Sequence, residues 1–106
     1  MSDWVDVGLV SEIKENKPAH VEIDGTKIVI FKLDNEFYAI ENVCTHDGGE
    51  LMGGCVENDV IICPRHGARF SIKTGEALSA PAYEPVATFP LRVENNILQV
   101  RDNRWN

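Results

Sequence analysis

Residues 42–50 read NVCTHDGGE, and residues 63–70 read CPRHGARF. Each stretch sets a cysteine close to a histidine, with glycine soon after. Taken together they are Cys44-x-His46, sixteen intervening residues, then Cys63-x-x-His66. A thiolate beside an imidazole suggests a metal, but two ligands do not complete a tetrahedral site, so each box needs the other. Between them, Asn58-Asp59 is a two-residue hairpin signal that can fold the chain back and bring the boxes together. Gly48, Gly49 and Gly67 can take positive φ or let the backbone approach an inorganic core closely. Inward-facing N–H groups in such loops are expected to donate to sulfur, as nests do to anions.

Outward from the boxes, the flanking sequence reads as strands. TKIVIFKL (26–33) is β-branched and almost continuously apolar at its centre, as expected of a strand buried on both faces. It follows the Asp24-Gly25 turn and precedes Asp34-Asn35, after which EFYAI (36–40) reads as the returning strand of a hairpin. GCVE and VIIC flank Asn58-Asp59, RFSI leads into Lys73-Thr74-Gly75, and LRVE and ILQV flank Asn95-Asn96. In that last pair Leu91 and Val93 share one face, as do Leu98 and Val100, so each strand is expected to be half buried. A single helical turn opened by Ser11 fits LVSEI (9–13), and no segment sustains the 3.6-residue period of a longer helix. Turns this frequent predict an all-β chain, an antiparallel sandwich or small barrel.

The chain has 106 residues, 43% hydrophobic and 25% charged, which predicts one compact domain without disorder or repeats. Seventeen Asp+Glu against ten Lys+Arg leave a formal charge of -7. Such a chain repels nucleic acid and attracts a partner with a basic docking face. MSDWVDVG lacks the basic and apolar regions of a signal peptide, and no apolar run approaches the ~18 residues of a membrane span. The expectation is a cytoplasmic protein. Cys44, Cys55 and Cys63 are then ligands or buried thiols rather than disulfides. Residues 42–82 hold all three cysteines, two of three histidines and six of eight glycines, which predicts a metal-holding lobe inserted into a scaffold formed by 1–41 and 83–106.

Two sulfurs and two nitrogens would suit a structural zinc ion. Zinc boxes, however, usually keep like ligands together, whereas each box here mixes them. The cytidine-deaminase signature fails for want of Pro-Cys-x-x-Cys and His-x-Glu. The paired boxes resemble those of Rieske [2Fe-2S] proteins, specifically the small ferredoxins serving aromatic-ring-hydroxylating dioxygenases, and the likeness extends over the whole chain to PLRVENNILQV. It implies a Rieske-type antiparallel β-sandwich with an inserted cluster-binding lobe, in which Cys44 and Cys63 bind one iron and His46 and His66 the other. It also implies an electron carrier, with no catalytic residues, between an NAD(P)H-dependent flavoprotein reductase and a terminal oxygenase. An oxygenase would need a further mononuclear iron site, typically two histidines and a carboxylate, and only His20 remains. The alternatives are a Rieske-type small subunit of another oxidoreductase, such as nitrite reductase, and a zinc-stabilised interaction module.

High-potential members of the family join the two loops by a disulfide, where Gly49 and Arg65 stand here. They also carry serine and tyrosine donors to sulfur, where this chain has Ala68 and Phe70. Loss of those donors predicts a potential near the low end of the Rieske range. Pro81, in LSAPAYEP, resembles the proline loop that covers the cluster. Asp47 and Glu50 are expected to charge a docking rim, with Arg65 and Arg69 either meeting a partner or forming local ion pairs. Cys55 is expected to be a small buried hydrophobe, His20 a surface residue, and Phe37, Tyr38 and Phe70 core.

Overall fold

The computed structural model describes residues 4–15, 17–45, 47–80 and 82–102. Its hairpins fall where the Asp and Asn turns predict them. Asp24-Gly25, Asp34-Asn35 and Asn95-Asn96 have positive φ at both positions, the left-handed geometry that two-residue loops between twisted strands require. They fold β2 (Ala19–Ile23) onto β3 (Thr26–Leu33), β3 onto β4 (Glu36–Glu41), and β9 (Leu91–Glu94) onto β10 (Ile97–Val100). The Asn58-Asp59 loop joins β5 (Cys55–Glu57) to β6 (Val60–Ile62), which pairs onward with β7 (Arg69–Ser71).

With β1 (Val5–Leu9) and β8 (Thr88–Phe89), three antiparallel sheets result, in the orders β1-β10-β9, β2-β3-β4-β8 and β5-β6-β7. Two strands escape the sequence patterns. The first, β1 (Val5–Leu9), pairs with β10 at the other end of the chain through a register shift at Gly8, and β8 (Thr88–Phe89) is only two residues long. Among the described residues there is no α-helix. A single 3-10 turn, Val10–Glu12, follows Leu9, so Ser11 lies inside it rather than opening it. No helix of the described residues is long and apolar enough to cross a membrane.

The two-faced burial of β3 organises the interior. Ile28 and Ile30 face a cluster with Ile13, Ala39, Phe89, Leu98 and Val100. Val29 and Phe31 face the other way, into a cluster with Leu51, Ile61, Phe70 and Ile72 that also contains Cys44 and Cys63. The two thiols are therefore part of a core, where each large apolar side chain contributes roughly 1.5–3 kcal/mol by burial. Phe70 is fully buried there, and Phe37 and Tyr38 are partly buried against the two clusters, consistent with packing. Val93 departs from expectation: it pairs opposite buried Leu98 yet is 54% exposed, because β9 is the outer strand of its sheet.

Two residues tie the loops to this framework. Buried Asn42, just after β4, accepts from the amides of Leu51 and Met52, both at 2.8 Å, so its Oδ1 closes the base of the first box. Gly75 donates to Ser71 O and accepts from Val86 N, both at 2.8 Å, joining the end of β7 to the segment that enters β8. Its φ is +80°, and a Cβ there would stand 2.2 Å from Val86 O.

Asn42→Ala leaves the Leu51 and Met52 amides without their acceptor and should lower stability by roughly 1–3 kcal/mol, as read by chemical denaturation. Gly75→Ala should also destabilise, and by more than Gly25→Ala, since both have positive φ but only Gly75 meets a carbonyl. Equal midpoints for the two glycine variants would show that the Gly75–Val86 approach relaxes freely.

Candidate metal centre

The two boxes fold into loops with the same closure. In the first, Cys44 N donates to Gly49 O at 2.6 Å and Gly48 N donates to Cys44 O at 2.7 Å. In the second, Cys63 N donates to Ala68 O at 2.7 Å and Gly67 N to Cys63 O at 3.1 Å. The glycine four residues after each cysteine has φ +75°, a conformation L side chains rarely adopt. Each loop thus turns back on its cysteine, although the Cys-to-His spacing differs between the boxes. The glycine amides do not wait for sulfur as expected: Gly48 and Gly67 bond carbonyls, and Gly49 N donates to Asp47 Oδ1 at 2.9 Å. Closing the turns and turning every amide inward are competing uses of the same groups.

Cys44 and Cys63 are both buried and carry free thiols. Their Sγ atoms and a carboxylate oxygen of Asp47 all lie within 4.8 Å of one another. His66 stands on the second loop with its side chain 53% exposed and Nδ1 3.4 Å from Asp47 Oδ2. His46 and Pro81 lie outside the described residues. The structure therefore brings both sulfurs together at the root of the loops and leaves one imidazole accessible at a tip. His66 reaches Asp47 but is not among the ligand atoms that converge with the two sulfurs. Two soft sulfur donors side by side, with an imidazole on the same loop, are a donor set that suits a mixed-ligand iron–sulfur cluster.

Arg65 bridges the loops. Its Nε donates to Asp47 Oδ2 at 2.7 Å, Nη1 to Glu50 O at 2.9 Å, and Nη2 to Asp47 Oδ1 at 3.2 Å and Cys63 Sγ at 3.3 Å. The Arg65 guanidinium, aided by the Gly49 amide, holds the Asp47 carboxyl well below the usual carboxylate range, against a smaller opposing effect of desolvation. Because this folded-state pKa is depressed, the ion pair's contribution is fully present above the ordinary carboxylate pKa. It is lost only as pH falls through the depressed value.

Both carboxylates of the expected docking rim are exposed, and each has a cation beside it. Asp47 is engaged by Arg65, and Glu50 lies 3.4 Å from Lys27 Nζ and accepts from Asn42 Nδ2 at the same distance. Both carboxylates serve the first loop, with much of their charge offset locally. Arg69 likewise makes a local pair, with Glu57 at 3.1 Å. Cys55 is exposed on β5 rather than buried, because the strand's alternation turns Val56 inward and Cys55 outward. His20 is exposed on β2, as expected.

The segment after β7 closes a further side. Thr45 Oγ1 donates to Glu84 O at 2.7 Å, binding this segment to the first loop, and Leu78 N donates to Arg69 O at 2.7 Å, binding it beyond the second. Ala82 is buried in the same cluster as the two cysteines, while Tyr83 is 84% exposed. Neither Asn42 nor the Arg65 bridge was legible from spacing. The only signal for the bridge is a glycine at position 49, where a Cβ would meet the guanidinium.

Comparison with known proteins agrees with this geometry. Residues 3–90 match the model of the Rieske [2Fe-2S] domain family. The ferredoxin component of the naphthalene 1,2-dioxygenase/salicylate 5-hydroxylase systems of a Ralstonia species is 33% identical over 93 residues, covering 88% of this chain and 89% of that protein. The ferredoxin of carbazole 1,9a-dioxygenase from Nocardioides aromaticivorans superposes with a TM-score of 0.89 at 27% identity, covering 96% of this chain and all of that one. A chain in the solved complex of reduced oxygenase and oxidized ferredoxin of carbazole 1,9a-dioxygenase superposes with a TM-score of 0.88 at 29% identity, covering 95% and 94%. With both thiols converging on matched loops and the family match spanning most of its length, this chain belongs to the Rieske [2Fe-2S] domain family.

Proposed function

We propose that this chain is a one-electron carrier. It takes electrons from an NAD(P)H-dependent flavoprotein reductase and passes them to a terminal Rieske non-haem iron oxygenase that hydroxylates aromatic rings. The observation that carries this reading is the pair of buried thiols brought together by two loops of matching closure, with the exposed His66 imidazole on the second loop 3.4 Å from Asp47. Cys44 and Cys63 would hold one iron of a [2Fe-2S] cluster, and His46 and His66 the other. When bound, that group supplies a reversible one-electron couple. The protein's own task is to keep the two sulfurs dry, hold the His66 imidazole accessible and present that surface to a partner.

Relatives named as ferredoxin components of naphthalene and carbazole dioxygenases support the carrier reading, and one of the structural neighbours is solved with an oxygenase. The chain has three histidines in all, so two cluster ligands leave no second pair for a mononuclear iron site. We read residues 1–106 as one Rieske domain, with 42–82 as the cluster lobe inserted between 1–41 and 83–106. The sheet β5-β6-β7, whose strands pair among themselves, supports that division. Three free cysteines fit work in the reducing cytoplasm.

Purified protein should contain two irons and two acid-labile sulfides per chain, and Cys44→Ser or Cys63→Ser should abolish both along with the visible colour. Cys55→Ser should keep the full spectrum. Tightly held zinc without iron, or loss of colour in the Cys55 variant, would refute the ligand set. The net charge of -7 further predicts that electron transfer to a basic partner slows as ionic strength rises. Stopped-flow rates from low salt to about 0.5 M, above which exposed charges are largely screened, should show the decline. A salt-independent rate would remove the electrostatic docking component.

A further inference from the structure

We propose that Arg65 is a redox-positioning residue: its guanidinium clasps the two ligand loops together and donates directly to the sulfur of Cys63. The proposal rests on the cluster reading above, but on observations that reading does not use. All three guanidinium nitrogens are engaged across the loop boundary, with the Asp47 carboxylate and Glu50 O as acceptors, and Nη2 also donates to Cys63 Sγ within its own loop. Asp47 and Glu50 belong to the first loop, while Arg65 and Cys63 belong to the second. One rigid planar fork therefore fixes a carboxylate, a carbonyl and a cysteine sulfur relative to one another, which a lysine's single ammonium cannot do.

The space for this fork exists because position 49 is glycine. A Cβ at Gly49 would lie 2.4 Å from Arg65 Cζ, 2.5 Å from Nη2 and 2.7 Å from Nε, so any larger residue displaces the guanidinium. Gly49 has no positive φ to demand glycine, so close approach is the physical reason for it. Positions 49 and 65 thus form one contact unit, a polar cross-link between the loops. The contact with Cys63 gives the link an electronic consequence. A cationic donor to a ligand sulfur stabilises added negative charge, so it favours the reduced state and raises the midpoint. Ala68 and Phe70 supply no hydroxyl to sulfur, which leaves Arg65 as the side-chain donor that the described residues show on Cys63.

The test uses two variants that preserve formal charge and a third, Arg65→Gln, that removes it. Arg65→Lys removes the fork, and Gly49→Ala pushes it aside while leaving Arg65 in place. In the cluster-loaded protein, spectroelectrochemical titration should show a lower midpoint for both, with the ratio of reduced to oxidised protein at fixed ambient potential falling about tenfold, or about 59 mV for one electron. In the cluster-free chain, amide hydrogen exchange at Gly48 and Gly67 should quicken in both variants, because the loops lose their cross-link. Wild-type midpoints and wild-type exchange in variants that retain full iron would overturn the proposal. So would a midpoint that falls only in Arg65→Gln, since Arg65 would then act as a point charge alone. Should Arg65→Lys fail to load iron, Gly49→Ala decides the midpoint. Wild-type protein lacking iron and sulfide would instead overturn the cluster reading, and the exchange measurement would still judge the clasp.

Discussion

Two thiols must be held close together in a dry interior by loops that have little core of their own, and most of the structure answers that constraint. The loops solve it in the same way: a cysteine whose amide and carbonyl are both tied to residues four and five positions on, with a left-handed glycine at the turn. This closure leaves each sulfur at the root of its loop, inside the cluster that contains Val29, Phe31, Leu51 and Phe70. The sheet scaffold supplies the floor, and the loops supply the walls. Burial disfavours an unpaired charge, so thiolates in such a place need a cation or metal beside them.

The polar contacts around the loops form a second level of support. Asn42 closes the base of the first loop, Arg65 crosses to it from the second, and Thr45 fastens it to the segment after β7. Each contact pins a different side, so the sulfurs are positioned by three directions of restraint rather than by one covalent link. A guanidinium clasp also differs from a disulfide in kind. It carries charge, it reaches the sulfur electronically, and it survives in a reducing compartment where a disulfide would not.

The same economy accounts for the charges near the site. A strongly acidic protein is expected to dock through carboxylates, yet Asp47 and Glu50 are turned to Arg65 and Lys27. Beside these paired charges the His66 imidazole and, on the adjoining segment, the ring of Tyr83 also face outward. Exposed charges paired in this way partly offset one another close to the loops, while the net charge of -7 acts over distance.

The boxes Cys44-x-His46 and Cys63-x-x-His66, the turn pairs and the period-2 runs were legible in the sequence because each is a local property. A type I′ turn needs positive φ at adjacent residues, and Asn, Asp and Gly accept it wherever they occur. Sheet order was not legible in the same way, since β1 meets β10 only after the chain has closed, and β8 is too short to carry a pattern. Tertiary structure alone decided that Cys55 faces outward and that Val93 lies uncovered at a sheet edge. It also decided that Arg65 spans the loops. A side chain's partner across fifteen or eighteen residues depends on where two loops come to rest, and that depends on the packing beneath them. Residue identity determined which ligands were on offer; three-dimensional closure determined what surrounds them.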